Sequence, residues 1–392
     1  MSQSALISPP APRHPASGGI AHALLAFAKK NAVFLIALVL AALSMIFVHP
    51  DAAYLSYFDW STLACLFSTL AVVGALGNIR FFTILAEKMV SLAGNLRTCV
   101  LCLTYITFLG SMLIANDMAL LTFLPLSCFV LLSCKQEKYM ALVFILQNAA
   151  ANLGGMLTPF GNPQNLYLYG YFEIPTGRFL GVMAVPFFAA ILLITLLCLF
   201  LFPKTPLKVE TPTASRLPRT RTALYLFLFL GVILAVFRLF SSYIAAAVVL
   251  VALLFLDRRA LLKVDYPLLL TFVCFFLFAG NVARIPAFAH FFAQILSWNP
   301  LLVSLLSCQV ISNVPTAILF SGFTSDWLPL LYGVNIGGVG TLVSSLASLI
   351  TFRTYLTHNP GQARPYLAKF SLVNFSLLAV LFGVCSLLLL IL

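Results

Sequence analysis

Apolar runs long enough to bridge a bilayer follow one another along almost the whole chain, separated by short polar stretches. They cover residues 31–48, 60–79, 98–114, 118–134, 139–165, 176–203, 222–237, 242–256, 266–283, 299–323, 327–352 and 367–392. A helix needs about 20 apolar residues to cross the hydrocarbon core, so the pattern predicts an all-α polytopic membrane protein of about nine to twelve membrane elements. Only residues 1–18 and 204–221 are polar over any length. The first, rich in Pro, Ser and Ala, reads as a disordered cytoplasmic tail. The second reads as a basic cytoplasmic linker. The polar lead before residue 31 is too long for a cleaved signal peptide, so 31–48 is expected to be a retained span.

Polar words inside the apolar runs recur in order. Asp59-Trp60 opens the span ending at Gly77-Asn78, and Asp265-Tyr266 opens the span ending at Gly280-Asn281. Asn116 lies midway along 98–134, and Ser312-Asn313 midway along 299–323. Asn152-Leu-Gly-Gly-Met-Leu-Thr158 matches Asn335-Ile-Gly-Gly-Val-Gly-Thr341. The three landmarks are offset by 203, 197 and 183 residues, so order is kept while the second half has shorter connections. Chance likeness accounts for matched Leu and Val, but poorly for ordered Asn, Gly and Thr. The expected organisation is a first transmembrane repeat over 19–203 and a second over 222–392, joined by 204–221.

Composition removes the soluble alternatives. Hydrophobic residues make up 62% of the chain and charged ones 8%, with a mean hydropathy of +1.07, against about 25% charged in a soluble domain. The net charge of +12 does not point to nucleic acid, because Lys and Arg sit between the apolar runs. With the N-terminus cytoplasmic, and with 98–134 and 299–323 each returning to the side they entered from, 19 of the 22 basic residues are cytoplasmic. Arg178, Arg238 and Arg284 alone fall outside, the asymmetry of the positive-inside rule. About nine crossings then leave the C-terminus outside. A re-entrant hairpin and a pair of full spans give the same count, so charge leaves that choice open for 98–134. The two hairpin regions enter from opposite sides, which makes the repeats inverted. Secondary transporters are built this way, with the site near the midplane where broken helices meet.

Of the ten acidic residues, Asp117 is the only one deep within an apolar run. It suits an N-cap for the second arm or a coupling-ion or proton ligand, and the two roles are compatible. Ser312 and Asn313 precede Pro315 and Thr316, which reads as a cap followed by a helix start. Free N–H groups and a positive dipole end there make an anion site, to which Asn313 adds its amide. The stretch NLGGMLTPFGNPQNLYLY holds Gly154, Gly155, Pro159, Gly161 and Pro163, and no continuous helix survives that density of breakers. Unwound backbone at membrane depth is tolerated only where it lines a cavity or is buried. Its free carbonyls, with Thr158, Gly161 and Asn162, suit a small hard cation. The matching NIGGVGTLVSSLASLI supplies Thr341, Ser344 and Ser345, close helix packing being the competing use of such small residues.

The remaining chemistry is sparse. Cys99 and Cys102 form a C-x-x-C with no second pair and no nearby His, which reads as two small residues on one helix face. His14, His22, His49, His290 and His358 lie in the tail, flank spans or sit in an amphipathic segment, so no metal site is expected. One buried carboxylate and no intramembrane His leave almost nothing for a membrane-embedded enzyme. The chain has no phosphate-binding loop for an ATP-driven pump. Residues 81–96 read as an amphipathic helix lying at the cytoplasmic interface.

Paired hairpins with an Asn at each tip, each followed by a Gly-Gly-x-x-Thr broken helix, resemble the ion transporter superfamily. The words AND-MALLTFLP, TPFGNPQNLYL, SNVPTAIL and NIGGVGTLVSSLASL are most similar to its arsenite-permease and citrate-transporter group, relatives of the divalent-anion:sodium symporters, over residues 31–392. The resemblance implies an elevator-type carrier, often a homodimer, with two re-entrant hairpins and two broken helices. In the symporter branch a Ser-Asn-Thr triplet at each tip contacts the substrate carboxylate and sodium. Here the second tip is Ser312-Asn313-Val314 with Thr316 beyond it, and the first is Ala115-Asn116-Asp117. The asparagines carry over. The Asp is closer to the arsenite and sodium/proton antiporter branches and implies proton coupling.

The expectation is therefore a secondary active transporter in the cell membrane for a small anion, either an organic carboxylate such as citrate or an inorganic oxyanion. Coupling would be to H+ or Na+, with no cofactor and no nucleic-acid partner. Substrate would meet Asn116, Ser312, Asn313, Thr316 and Asn165. The coupling ion would meet Asp117, Thr158, Gly161, Asn162, Thr341, Ser344 and Ser345. The rival within the class is a Na+/H+ antiporter or an arsenite-type efflux permease, which Asp117 favours.

Overall fold

Local capping chemistry sets where the principal helices begin, and it does so twice in the same order. Asp59 and Asp265 accept the N–H groups of Thr62 and Leu268 at 2.9 and 3.0 Å. Asn95 and Asn299 accept those of Thr98 and Leu302 at 3.0 and 2.9 Å. Such caps satisfy N–H groups that a helix start otherwise leaves orphaned. Each Asp opens a long apolar helix, and each Asn opens the first arm of a hairpin.

A computed structural model describes residues 31–207 and 217–391. The tail expected over 1–18 lies outside the described residues, as does most of the expected linker. The regular elements among the described residues are helices, with one isolated antiparallel bridge between Asn95 and Pro206. In chain order they are α1 (Ala32–Phe47), α2 (Trp60–Asn78), α3 (Phe81–Val90), α4 (Leu96–Ile114), α5 (Asn116–Ser133) and α6 (Met140–Gly154). Then come α7 (Pro163–Tyr171), α8 (Thr176–Leu201), α9 (Arg219–Val236), α10 (Ser242–Leu256), α11 (Arg258–Leu262) and α12 (Tyr266–Ala283). The last are α13 (Pro286–Trp298), α14 (Pro300–Ile311), α15 (Asn313–Ser321), α16 (Trp327–Ile336), α17 (Leu346–His358) and α18 (Ala363–Ile391). Among the described residues eight helices are long and apolar enough to cross a membrane, and the protein is a multi-pass membrane protein.

Element order from α2 to α8 returns from α12 to α18. An Asp-capped helix leads to a short helix (α3, α13), a hairpin (α4–α5, α14–α15), a helix that unwinds (α6, α16), a resumed half-helix (α7, α17) and a long final helix (α8, α18). The amphipathic helix expected over 81–96 stops at Val90, because Asn95 caps a fresh start. The hairpins differ in reach: α4 and α5 have 19 and 18 residues, α14 and α15 only 12 and 9.

Packing separates a core from a frame. In the core α4 lies on α6, α14 on α16, α5 on α17 and α15 on α7. In the frame the pairing is crossed, with α1 against α12 and α10 against α2. The final Gly-Asn of each Asp-capped helix fastens that crossing. Asn78 donates to Asp257 at 2.8 Å and accepts from Lys263. Asn281 donates to Ser44 at 2.9 Å and to Tyr54 at 3.0 Å. The frame meets the core where α2 packs on α7 and α12 on α15.

Loop contacts define two ends. At one, Arg97 donates to the Phe202 carbonyl at 2.7 Å, and Asn359 reaches Met140. At the other stand the three basic residues expected outside, each with a partner. Arg284 binds Asp51 at 2.7 Å, Arg178 lies 5.1 Å from the Trp327 ring, and Arg238 lies 4.4 Å from that of Tyr169. The Arg284 guanidinium holds the Asp51 carboxyl below its ordinary value.

Candidate functional site

The two hairpin tips turn through the same unusual backbone. Ala115 has φ 61 and ψ 154, and Ser312 has φ 73 and ψ 161. Residues with a Cβ avoid this region at a cost of about 1–3 kcal/mol. The reversal puts an asparagine at the first position of each returning arm. Asn116 Oδ1 accepts the N–H of Asp117 at 3.0 Å, and Asn313 Oδ1 accepts that of Val314 at 2.9 Å. Each asparagine therefore closes on its own helix start and leaves its NH2 group for another partner. The capping expected of Asp117 and Ser312 does not occur: neither side chain caps a helix here, because the adjacent asparagine oxygen is already in place.

The freed amides converge on the first unwound segment. Asn116 Nδ2 donates to Asn152 Oδ1 at 3.0 Å. A Cβ added at Gly338 would stand 3.0 Å from Asn313 Nδ2 and 3.4 Å from Asn152 Oδ1. Asn152 thus lies between the two tips, and the missing side chain at Gly338 is what admits Asn313.

Both unwound segments are hooked to a hairpin by the same bond. Thr158 Oγ1 donates to the Met112 carbonyl at 2.8 Å, and Thr341 Oγ1 to the Gln309 carbonyl at 2.9 Å. Each acceptor stands four residues before its tip asparagine. The carbonyls expected to be free are engaged. Asn165 Nδ2 lies 3.3, 3.1 and 3.4 Å from the carbonyls of Gly155, Met156 and Thr158, while its Oδ1 accepts from Asn335 at 2.6 Å. Gly161 N–H donates to the Thr158 carbonyl at 3.2 Å. In the second segment Gln309 donates to the Gly337 carbonyl at 2.9 Å and accepts the Thr341 N–H at 2.8 Å. Ser344 Oγ lies 2.9 and 2.8 Å from the carbonyls of Gly338 and Thr341. A carbonyl has two lone pairs, so those of Met156, Gly337 and Gly338, with one of these bonds each, retain an acceptor position, while those of Thr158 and Thr341 accept two bonds each.

The remaining residues divide between the site and its scaffold. The Ser344 carbonyl accepts from Asn313 N–H at 3.0 Å and Ser312 Oγ at 3.2 Å, tying the second tip down. Ser345 caps α17 through the Ser348 N–H at 3.2 Å. Thr316 turns its hydroxyl back onto the Ser312 carbonyl at 2.7 Å. Asn162 donates to the Asn152 carbonyl at 3.3 Å. The buried oxygens Asp117 Oδ1, Asn162 Oδ1, Gln164 Oε1 and Asn335 Oδ1 have no hydrogen-bond partner, which marks unfilled acceptor positions in a buried polar region.

Helix ends set the electrostatics. The N-termini of α5, α7, α15 and α17 begin at the tips and breaks, and the C-termini of α4, α6, α14 and α16 end there. Half-charges of both signs therefore face the same small volume. Among the described residues no Lys, Arg or His is buried. Gln309, Gln164 and Asn148, which donates to Ser348 at 3.2 Å, were not singled out from sequence. Their signal was available as amides inside apolar runs.

The profile of the citrate transporter family, CitMHS, matches residues 22–332. The chain belongs to this family. Two relatives cover most of its length. One is an archaeal protein of Methanocaldococcus jannaschii named as uncharacterized transporter MJ0456, 30% identical over 75% of this chain and 81% of the relative. The other is the inner membrane protein YbiR of Escherichia coli, 30% identical over 81% of this chain and 86% of its own. The silicon efflux transporter LSI3 of rice is 36% identical over 33% of this chain and 27% of its own. Among solved structures, the YdaH transporter of Alcanivorax borkumensis has a like fold, with a TM-score of 0.51 at 14% identity over 90% of this chain and 96% of that one. Family and relatives bear out a membrane transporter and not an enzyme.

Proposed function

We propose that this chain is a secondary active carrier of a small anion, a di- or tricarboxylate such as citrate or an inorganic oxyanion, driven by H+ or Na+. The observation that carries this reading is the meeting of four helix N-termini with the two tip asparagines. N–H groups and dipole ends attract anionic oxygens, and the amides of Asn116 and Asn313 fix their orientation. Four C-termini with retained carbonyl lone pairs, together with the unpartnered oxygen of Asp117, suit the coupling cation. Thr158, Gly161, Asn162, Thr341, Ser344 and Ser345 shape that second position. Asn165 and Thr316 act through the backbone they hold.

The repeated element order, the shared tip geometry and the Thr158 and Thr341 hooks support an inverted repeat with two re-entrant hairpins. Each tip lies beside a helix break rather than beyond it, which favours re-entry for 98–134. The basic loops favour a cytoplasmic location for the end carrying Arg97 and Lys204 and an outside C-terminus. The frame touches the core most closely through α7 and α15, which both run towards the opposite end, and more lightly where α2 meets α4. That asymmetry supports an elevator caught at one limit of its travel, facing the cytoplasm.

A second reading has one observation in its favour. A core whose described residues bury no basic side chain also suits a neutral oxyacid exchanged for protons, as an efflux permease of the arsenite type would require. Reconstituted protein offered citrate, succinate, malate, sulfate, phosphate, arsenite and silicic acid under an imposed pH or Na+ gradient tests both. Saturable, gradient-driven uptake of an anion is the expected result. Movement of arsenite or silicic acid alone supports the second reading, and Na+/H+ exchange without any anion overturns both.

A further inference from the structure

The face of α5 that carries Asp117 continues into a groove of about 430 Å³ that reaches Arg80 and Glu87. Asp117, Leu121 and Pro125 follow at four-residue spacing, so they share one side of the helix. Leu121 and Pro125 line the groove, with Thr122 beside them, and Leu121 is 55% exposed. Pro125 has no N–H to give the carbonyl one turn earlier, so the Leu121 carbonyl lacks its ordinary helical donor. The opposite wall is the end of α2 and the start of α3. There Gly77 has no atom within 4 Å of the place a Cβ would occupy.

Charge at the far end is arranged unevenly. Arg80 binds Glu87 at 2.8 Å, with the Arg80 side chain 51% exposed and that of Glu87 5%. Glu87 is the one charged side chain that is buried among the described residues, and a buried Glu is seldom found unless paired. Arg80 takes a left-handed backbone, φ 57, and so starts α3 with its guanidinium turned to Glu87. A guanidinium carries five donors in a planar fork, well matched to a carboxylate or oxyanion.

We infer that this groove is the antechamber of the transport site, and that Arg80, positioned by Glu87, is the residue that gathers the anion before it reaches Asp117 and Asn116. The inference rests on the carrier reading above, but its test does not require transport. Leu121→Cys, in a background where the half-exposed Cys102 and Cys134 are serine, is exposed to anionic and cationic methanethiosulfonate reagents in membranes of each sidedness. Modification is expected from the face that carries Arg80. Arg80→Gln is expected to slow the anionic reagent about fivefold relative to the cationic one, and Arg80→Lys to restore the ratio. Gly77→Phe, filling open space, is expected to suppress both reagents while the protein keeps its elution profile. Modification from the opposite face only, or a reagent ratio indifferent to Arg80→Gln, overturns the inference. Expected labelling in a protein that moves no anion supports the antechamber and counts against the carrier reading. Anion transport without the Arg80 effect does the reverse.

Discussion

The two hairpin tips have the same backbone and different chemistry. Ala115-Asn116-Asp117 and Ser312-Asn313-Val314 each reverse at a positive φ, and each asparagine oxygen closes on the next N–H. The second tip is then held by two bonds to the Ser344 carbonyl and carries no charge. The first is held at Asn152 and carries a carboxylate with one unpartnered oxygen. On the proposed function, common geometry with unequal fastening means divided labour: both tips would orient the substrate, and the first would also answer to the coupling ion.

That division can be broken at several points. The largest effect is expected at Asp117, where Asp117→Asn should reduce gradient-driven accumulation to background, because the neutral amide neither binds Na+ strongly nor carries a proton. Next are the asparagines. Asn116→Ala and Asn313→Ala each remove one hydrogen bond to a charged ligand, a loss of about 1.5–3 kcal/mol. The concentration for half-maximal uptake should rise about 10- to 100-fold in each, with the stoichiometry of coupling unchanged.

Smaller effects sharpen the structural half of the comparison. Gln309 and Met112 stand at the same position relative to their tips. Gln309→Met should orphan the Thr341 N–H and the Gly337 carbonyl and lower stability by about 1–3 kcal/mol. Met112→Gln should do less, since Asn165 already serves the first segment. The smallest change is expected from glycine at the tips. Ala115→Gly relieves an unfavourable φ and should raise the melting temperature slightly. Ser312→Gly gives up the Ser344 bond, and its gain should vanish. Thermal unfolding in detergent reads all four.

Much of this arrangement was legible in the chain. Asn116 and Asn313 stood out as amides midway along apolar runs, and Gly154 to Pro163 announced the break, because polar groups and clustered breakers are costly at membrane depth unless a site uses them. What could not be read was which group would satisfy which. Asp117 and Ser312 had the composition of caps, yet the neighbouring asparagine took that bond through a turn that only the folded hairpin specifies. The carbonyls around Thr158 would have been free in an isolated loop, but Asn165, one turn into α7, folds back over them. Gln309 lies on a different element from Thr341 and Gly337, so its task depends on tertiary contact. The difference in reach was legible, since 98–114 and 118–134 are two separate apolar runs where 299–323 is one.

The most direct measurement compares substrate counterflow with gradient-driven accumulation in the same proteoliposomes, for Asp117→Asn and Asn313→Ala. Counterflow needs substrate binding and movement of the core but no net driving gradient. Divided labour predicts that Asp117→Asn keeps counterflow and loses accumulation, while Asn313→Ala lowers both in proportion. If Asp117→Asn lowers both equally, the carboxylate belongs to the substrate site and the two tips do one job.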